Sequence, residues 1–221
     1  ATSRVDSLAA APLRHPRVLI LYSNDRLLPA NVVADEAMRA TFATNAHGTV
    51  EIYSEFLDVD RFPGEGQPER TRDFLRDKYR ERPPDLIIAG GGPALAFLLK
   101  YRLTLFTQVS IVHCAVSSNA LPKTLPDDRI VGIPLVPSAV STLELALRLQ
   151  PATRQVAVVG GGNWLDPGIG GEFSAFTQRV AFISLTNQSL PELRAELSRL
   201  PDHTVVLYRS LFRDAAGNAF T

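Results

Sequence analysis

A single cysteine, Cys114, occurs in 221 residues, which excludes an internal disulfide framework and any metal site built from several thiolates. The chain also lacks an excess of charge of either sign. Its 23 Lys plus Arg balance 23 Asp plus Glu, and this argues against a dedicated nucleic-acid binder, which needs a basic surface to neutralise phosphates. No apolar run approaches the ~20 residues that cross a bilayer. The four histidines, His15, His47, His113 and His203, are scattered, with no neighbouring ligand at metal spacing. His113 adjoins Cys114, but successive strand residues point to opposite faces, so the two cannot form a dyad. Cys114 lies in the apolar run 109–116 and is expected to be a buried, inert packing thiol.

Several catalytic and cofactor motifs are missing as well. After Gly90 the third glycine of a dinucleotide fingerprint would fall at Leu95, and after Gly160 at Leu165. Neither glycine loop is followed by the Lys-Ser or Lys-Thr pair of a phosphate-binding loop, and no G-x-S-x-G elbow occurs. The expectation is a chain with no cofactor, no metal and no catalytic turnover of its own.

What is present is a repeated unit: an apolar strand, a loop of small and polar residues, then an amphipathic helix. RVLILY (17–22) runs into Ser23-Asn24-Asp25-Arg26, DLIIA (85–89) into Gly90-Gly91-Gly92-Pro93, and QVAVV (155–159) into Gly160-Gly161-Gly162-Asn163. Continuously apolar strands separated by helices predict a parallel sheet buried on both faces, with ligands bound beyond the carboxyl ends of its strands. The loops after parallel strands should therefore share one edge. Pro93 at a helix start leaves backbone N–H groups open to an anionic group, and a tight turn explains the glycines equally well. Glu55, Asp58 and Asp60 follow the second strand; they are within reach of the crevice, with loop and capping roles as the simpler reading.

The pattern divides the chain. Residues 1–16 form a polar, Ala-rich leader with no initiator Met, expected to be the remainder of a trimmed precursor. Five strands (17–22, 50–54, 85–89, 109–114 and 129–133) with helices at about 30–44, 69–80 and 93–101 make a first α/β lobe, 17–136. IPLVPS (133–138) interrupts the chain, and a helix over 141–149 with a Ser141/Glu144 capping box opens a second lobe, 137–221. That lobe has strands at 155–159, 180–185 and 204–208, and a helix announced by a Ser189/Glu192 capping box with Leu190, Leu193, Leu197 and Leu200 on one face. Three strands make a thin sheet with an uncovered edge, so the second lobe is expected to be truncated.

VLILYSNDRLLPAN (18–31), VEIYSEFLDVDRFP (50–63), DLIIAGGGPALAFL (85–98) and LELALRLQPATRQVAVVGG (143–161) together resemble the periplasmic substrate-binding-protein-like domains related to ABC transporter receptors. The version fused outside the membrane to sensor histidine kinases is the most similar. The resemblance implies two Rossmann-like lobes with parallel sheets, of the type I periplasmic-binding-protein kind, closing on a small molecule. It implies an extracytoplasmic protein tethered to the inner membrane, with a kinase or transporter as partner, no nucleic acid, and a homodimer left open.

The ligand-binding residues that the resemblance implies are Ser23, Asn24, Asp25 and Arg26, then Gly91, Gly92 and Pro93, then Val116, Ser117 and Ser118 in the first lobe. In the second they are Gly161, Gly162, Asn163 and Trp164, with Tyr208 and Arg209 after the third strand. Arg26 and Arg209 are chemically suited to a carboxylate, Asp25 to an amine or hydroxyl, and Trp164 to stacking on a ring. The leading expectation is a sensor domain that signals by lobe closure. The alternatives are an ABC transport receptor and, from another class, a flavodoxin-like or nucleotide-dependent enzyme.

Overall fold

The computed structural model describes residues 15–46, 49–136, 139–161 and 169–220. The first sheet contains β1 (Arg17–Tyr22), β2 (Glu51–Phe56), β3 (Leu86–Gly90), β4 (Ser110–Ser117) and β5 (Ile130–Leu135), all parallel, in the order β2-β1-β3-β4-β5. The chain winds outward in one direction from β1 to β2 and in the other from β3, so β1 and β3 flank the point where the winding reverses, the usual ligand crevice of such sheets.

Every residue of β1 is buried, residues 18–22 as their unbroken apolar run requires of a central strand and Arg17 beside the Asp85 carboxylate. One face of the sheet, with Leu19, Leu21, Ile87, Ala89 and Ile111, packs under α2 (Gln67–Lys78) and α3 (Gly92–Lys100). The other, with Val18, Ile20, Tyr22 and Ile88, packs under α1 (Pro29–Asn45) through Ala34, Met38 and Phe42. Each of these helices carries a proline in its first turn, where the missing N–H has no intrahelical partner to lose. The sheet's far edge is less covered: beyond Ile130, the β5 residues Val131, Ile133 and Leu135 are exposed.

The second sheet has β6 (Gln155–Gly161) between β7 (Ala181–Thr186) and β8 (Thr204–Leu211), again parallel. Helix α4 (Ala139–Leu149) seals one face through Leu143 and Leu147, with Phe173 and Phe176, which follow the short α5 (Ile169–Glu172). Helix α6 (Leu190–Leu197) seals the other through Leu193. The capping box at α6 forms as expected: Glu192 N–H donates to Ser189 Oγ, and Ser189 N–H donates to Glu192 Oε2 at 2.9 Å. The one expected at Ser141 does not, because α4 already begins at Ala139 and Ser141 stands inside it. The two strands with the largest shifts of boundary run past their expected ends, β4 to Ser117 and β8 to Leu211. Of the leader, residues 1–14 lie outside the described residues, as do Pro137 and Ser138 of the interlobe segment.

Candidate functional site

The loops after β1, β2 and β3 are stitched to one another and to strand β4 at one edge of the first sheet by backbone hydrogen bonds. Leu57 N–H donates to Tyr22 O at 2.9 Å, Val59 N–H to Ser23 O at 3.2 Å, Ser23 N–H to Gly90 O at 3.0 Å, and Gly91 N–H to Cys114 O at 2.9 Å. The common edge expected from parallel strands is therefore present. Within it the side chains divide into some that build the crevice and some that face it.

Ser23 builds it. Its hydroxyl is buried, donates to Gly90 O at 2.9 Å and accepts Ala94 N–H at 3.0 Å, capping the first turn of α3 from another strand. Gly91 adopts φ +96°, and a Cβ there would stand 2.6 Å from that hydroxyl, so glycine is required. Pro93 has no N–H and Ala94 gives its own to Ser23, which leaves the start of α3 with little to offer an anion. Val116 also belongs to the framework: it lies inside β4, not in a loop, and is buried in the core under α2 and α3. Ser117 ends the strand, and Ser118 opens a short 3₁₀ turn.

Asn24, Asp25, Leu28, Asp58, Asp60 and Arg61 instead line a pocket, closed on its far side by Phe212, Ala219 and Phe220 of the second lobe. Asp25 and Asp58 are both buried, and both pair with one guanidinium, that of Arg61. Arg61 Nε donates to Asp58 Oδ1 and Oδ2 at 2.9 and 2.8 Å, and Nη2 meets both aspartates. The carboxylates push the guanidinium pKa above its ordinary value, with Asp58 the larger influence. Asp25 also accepts Leu27 N–H at 2.5 Å. Asn24 donates to Asp60. Arg26, adjacent in sequence, is exposed and outside the pocket lining.

The second lobe reaches this pocket by a hairpin after β8. Arg213 and Ala219 form an antiparallel bridge, and Phe220 N–H donates to Phe212 O at 2.8 Å. Buried Asp214 anchors the hairpin, accepting Asn218 N–H at 2.8 Å and Leu190 N–H, at the start of α6, at 3.0 Å. The Asn218 side-chain amide is the main influence that lowers its pKa. Arg213 Nη2 donates across to the carbonyl of Asp60 in the first lobe.

Tyr208 and Arg209 lie within β8, not after it. The ladder with β6 slips between Val159 and Gly160, leaving Arg209 as the extra residue of a bulge, a device that re-aims a side chain. Arg209 Nη1 donates to Glu172 Oε2 at 2.8 Å. Tyr208 is exposed, and Gly161 ends β6 under the hairpin. Gly162, Asn163 and Trp164 lie outside the described residues.

A second bulge marks β4, where the register with β5 slips between His113 and Val116 and Ala115 takes φ +55°. Burial lowers the His113 pKa and raises that of Cys114, which is half-buried and faces the α1 side, so its thiol is a poor nucleophile. Among the described residues no group of three or more His, Cys, Asp or Glu could hold a metal ion, and no helix is long and apolar enough to cross a membrane.

Arg61, Phe212 and Phe220 were not identifiable as site residues from the sequence. Asp58 and Asp60 were visible as acids after a strand, and the signal that distinguishes them is the Asp-x-Asp-Arg run at the carboxyl end of β2.

No protein-family model and no curated protein sequence matches the chain. Among solved structures, an ABC domain from Streptococcus pneumonia in complex with L-Trp matches with TM-score 0.59 and 14% identity, covering 87% of this chain and 65% of that one. The ligand-free, open structure of a substrate binding protein with adhesive properties from Clostridium difficile matches with TM-score 0.59 and 17% identity, covering 86% of this chain and 65% of that one. The chain thus spans about two thirds of the length of these neighbours, and at such identities the likeness is one of fold: an α/β protein with parallel, Rossmann-like sheets of the periplasmic-binding-protein kind.

Proposed function

We propose that the chain is the small-molecule-binding part of an extracytoplasmic receptor, holding its ligand between the β1/β2 loops of the first lobe and the hairpin of the second. The observation that carries this reading is the convergence, at the carboxyl edge of the first sheet, of carboxylates, a guanidinium and two phenylalanines from both lobes; the space between them is about 10 Å³, room for one water, so a ligand enters only as the walls part. A few convergent polar groups on an apolar wall are the usual make-up of a small-ligand site. A ligand that touches both walls favours the closed arrangement through contacts the open one lacks, which turns occupancy into a change of shape.

The reading of that shape change by a membrane-bound histidine kinase follows from the sequence resemblance. Transport is the second reading, favoured by the fold neighbour described as an ABC domain. That neighbour was solved with L-Trp, so aromatic amino acids are the first probes to try here. Titration calorimetry against the standard amino acids, with small-angle scattering to follow compaction, tests the binding claim; saturating heat with a smaller radius of gyration supports it. The reading frame around the chain separates the two roles: a kinase core joined in the same polypeptide supports the sensor, and a neighbouring permease and ATPase support the receptor.

A further inference from the structure

We propose that Arg61 is the residue by which the first lobe grips a carboxylate on the ligand, presenting its Nη1 edge while Asp25 and Asp58 hold the other edge. The assignment rests on the small-molecule reading above and names the anchor within it.

An arginine half exposed to solvent normally samples many rotamers and loses that freedom when it binds. Arg61 does not have that freedom. Its Nε and Nη2 are fixed by two carboxylates that are themselves buried, one at the end of β1 and one at the end of β2, and its side chain remains 47% exposed. Among the described residues its contacts run through Nε and Nη2, so the planar fork is oriented with Nη1 left for a partner. Arg26 has no such clamp.

The charge count narrows the partner further. Two aspartates against one arginine leave this trio with an excess negative charge, so a simple anion gains from Nη1 but is opposed by the field around it. A ligand that also carries a positive group escapes this opposition, and the Asp60 carboxylate on the same pocket wall can receive it. The anchor therefore selects a zwitterion over the corresponding simple acid.

The test is titration calorimetry of the intact chain with amino acids, their amides, the decarboxylated amines, the deaminated acids and neutral sugars. At least one amino acid should bind, and its amide and its deaminated acid should each bind on the order of 10- to 100-fold more weakly, the scale of one charge-assisted contact. In Arg61→Lys, which keeps a cation on Asp25 and Asp58 but loses the free guanidinium edge, the preference of acid over amide should fall to near unity. A purely structural role would weaken acid and amide alike. Should the lysine variant fail to fold, Asp25→Asn combined with Arg61→Gln removes one charge of each sign and serves the same comparison.

An amide that binds as well as its acid, or a lysine variant that keeps the preference, overturns the anchor. Binding by amines or sugars alone overturns it while leaving the cleft reading intact. If nothing in the panel binds, both fall.

Discussion

At the carboxyl end of the first sheet two buried aspartates share Arg61, whereas at the matching end of the second sheet Arg209 pairs with Glu172. The side chains of Arg209 and Glu172 are 27% and 18% exposed, so that cation and its acid are mutually shielded; Arg61 is 47% exposed above acids at 9% and 12%. The first lobe thus buries its acids and shows its base. The second contributes little charge to the pocket and meets it with the apolar face of a hairpin. A cleft built this way has one wall that orients polar groups and one that covers them.

The sharpest way to break the comparison is through the two glycines beneath the walls. Gly91→Ala forces a Cβ onto a backbone at φ +96° and within 2.6 Å of Ser23 Oγ, the hydroxyl that ties β1 to α3. Backbone strain and overpacking together should cost about 3 kcal/mol in urea unfolding. Gly161→Ala meets Leu211 Cδ1 at 2.4 Å, which can swing away, and the Arg213 carbonyl at 2.8 Å, which cannot. It should cost less, about 1–2 kcal/mol, but it displaces the hairpin that carries Phe212 and Phe220. The first substitution should therefore lower the unfolding midpoint more, and the second should weaken ligand binding more for each unit of stability lost. Equal ratios of the two effects would show that the hairpin is not a wall of the site.

How much of this was legible follows the same division. The first sheet was read from continuous runs such as RVLILY, because a strand buried on both faces leaves no polar positions to confuse the pattern. The bulged strands were read less well. β8 extends three residues past its expected end, across a bulge that leaves no mark in hydrophobicity, and so Arg209 was expected beyond the strand. Val116 was misplaced for the same reason at the bulge in β4. The crevice itself was legible from topology, since parallel strands end on one side, but its occupants were not. Arg61 is chosen by two aspartates 36 and three residues away in sequence, a coincidence only folding creates. Phe212 and Phe220 belong to a hairpin outside the strand-helix rhythm on which the reading depended.

Acid tests the first lobe next. Burial holds the His113 pKa below its ordinary 6.5, so the folded state binds a proton less readily than the unfolded chain. Its contribution is complete above that unfolded value and is lost as pH falls below it. The group stands in β4, inside the first lobe. Unfolding midpoints should therefore decline from about pH 6.5 towards pH 5, above the range where most carboxylates titrate, and His113→Gln should flatten that decline. A decline of the same slope in the variant would assign it to other groups.

The smallest expected effect compares two serines inside the second lobe. Both stand three residues before a glutamate, and both read as helix caps in sequence. Only Ser189 has the geometry: its φ −68° and ψ 154° are extended, its hydroxyl oxygen accepts the Glu192 N–H, and Glu192 returns a bond to its backbone. Ser141 is helical, with α4 begun two residues earlier, so the N–H that a cap would accept already lies inside the helix. Ser189→Ala should lower stability by about 1 kcal/mol, the usual cost of a lost cap. Ser141→Ala should change it by less than about 0.5 kcal/mol and in the stabilising direction, because alanine is the better residue within a helix. Equal losses from the two substitutions would place a helix start at Ser141 and would require α4 to begin where its sequence pattern, not its backbone, says it does.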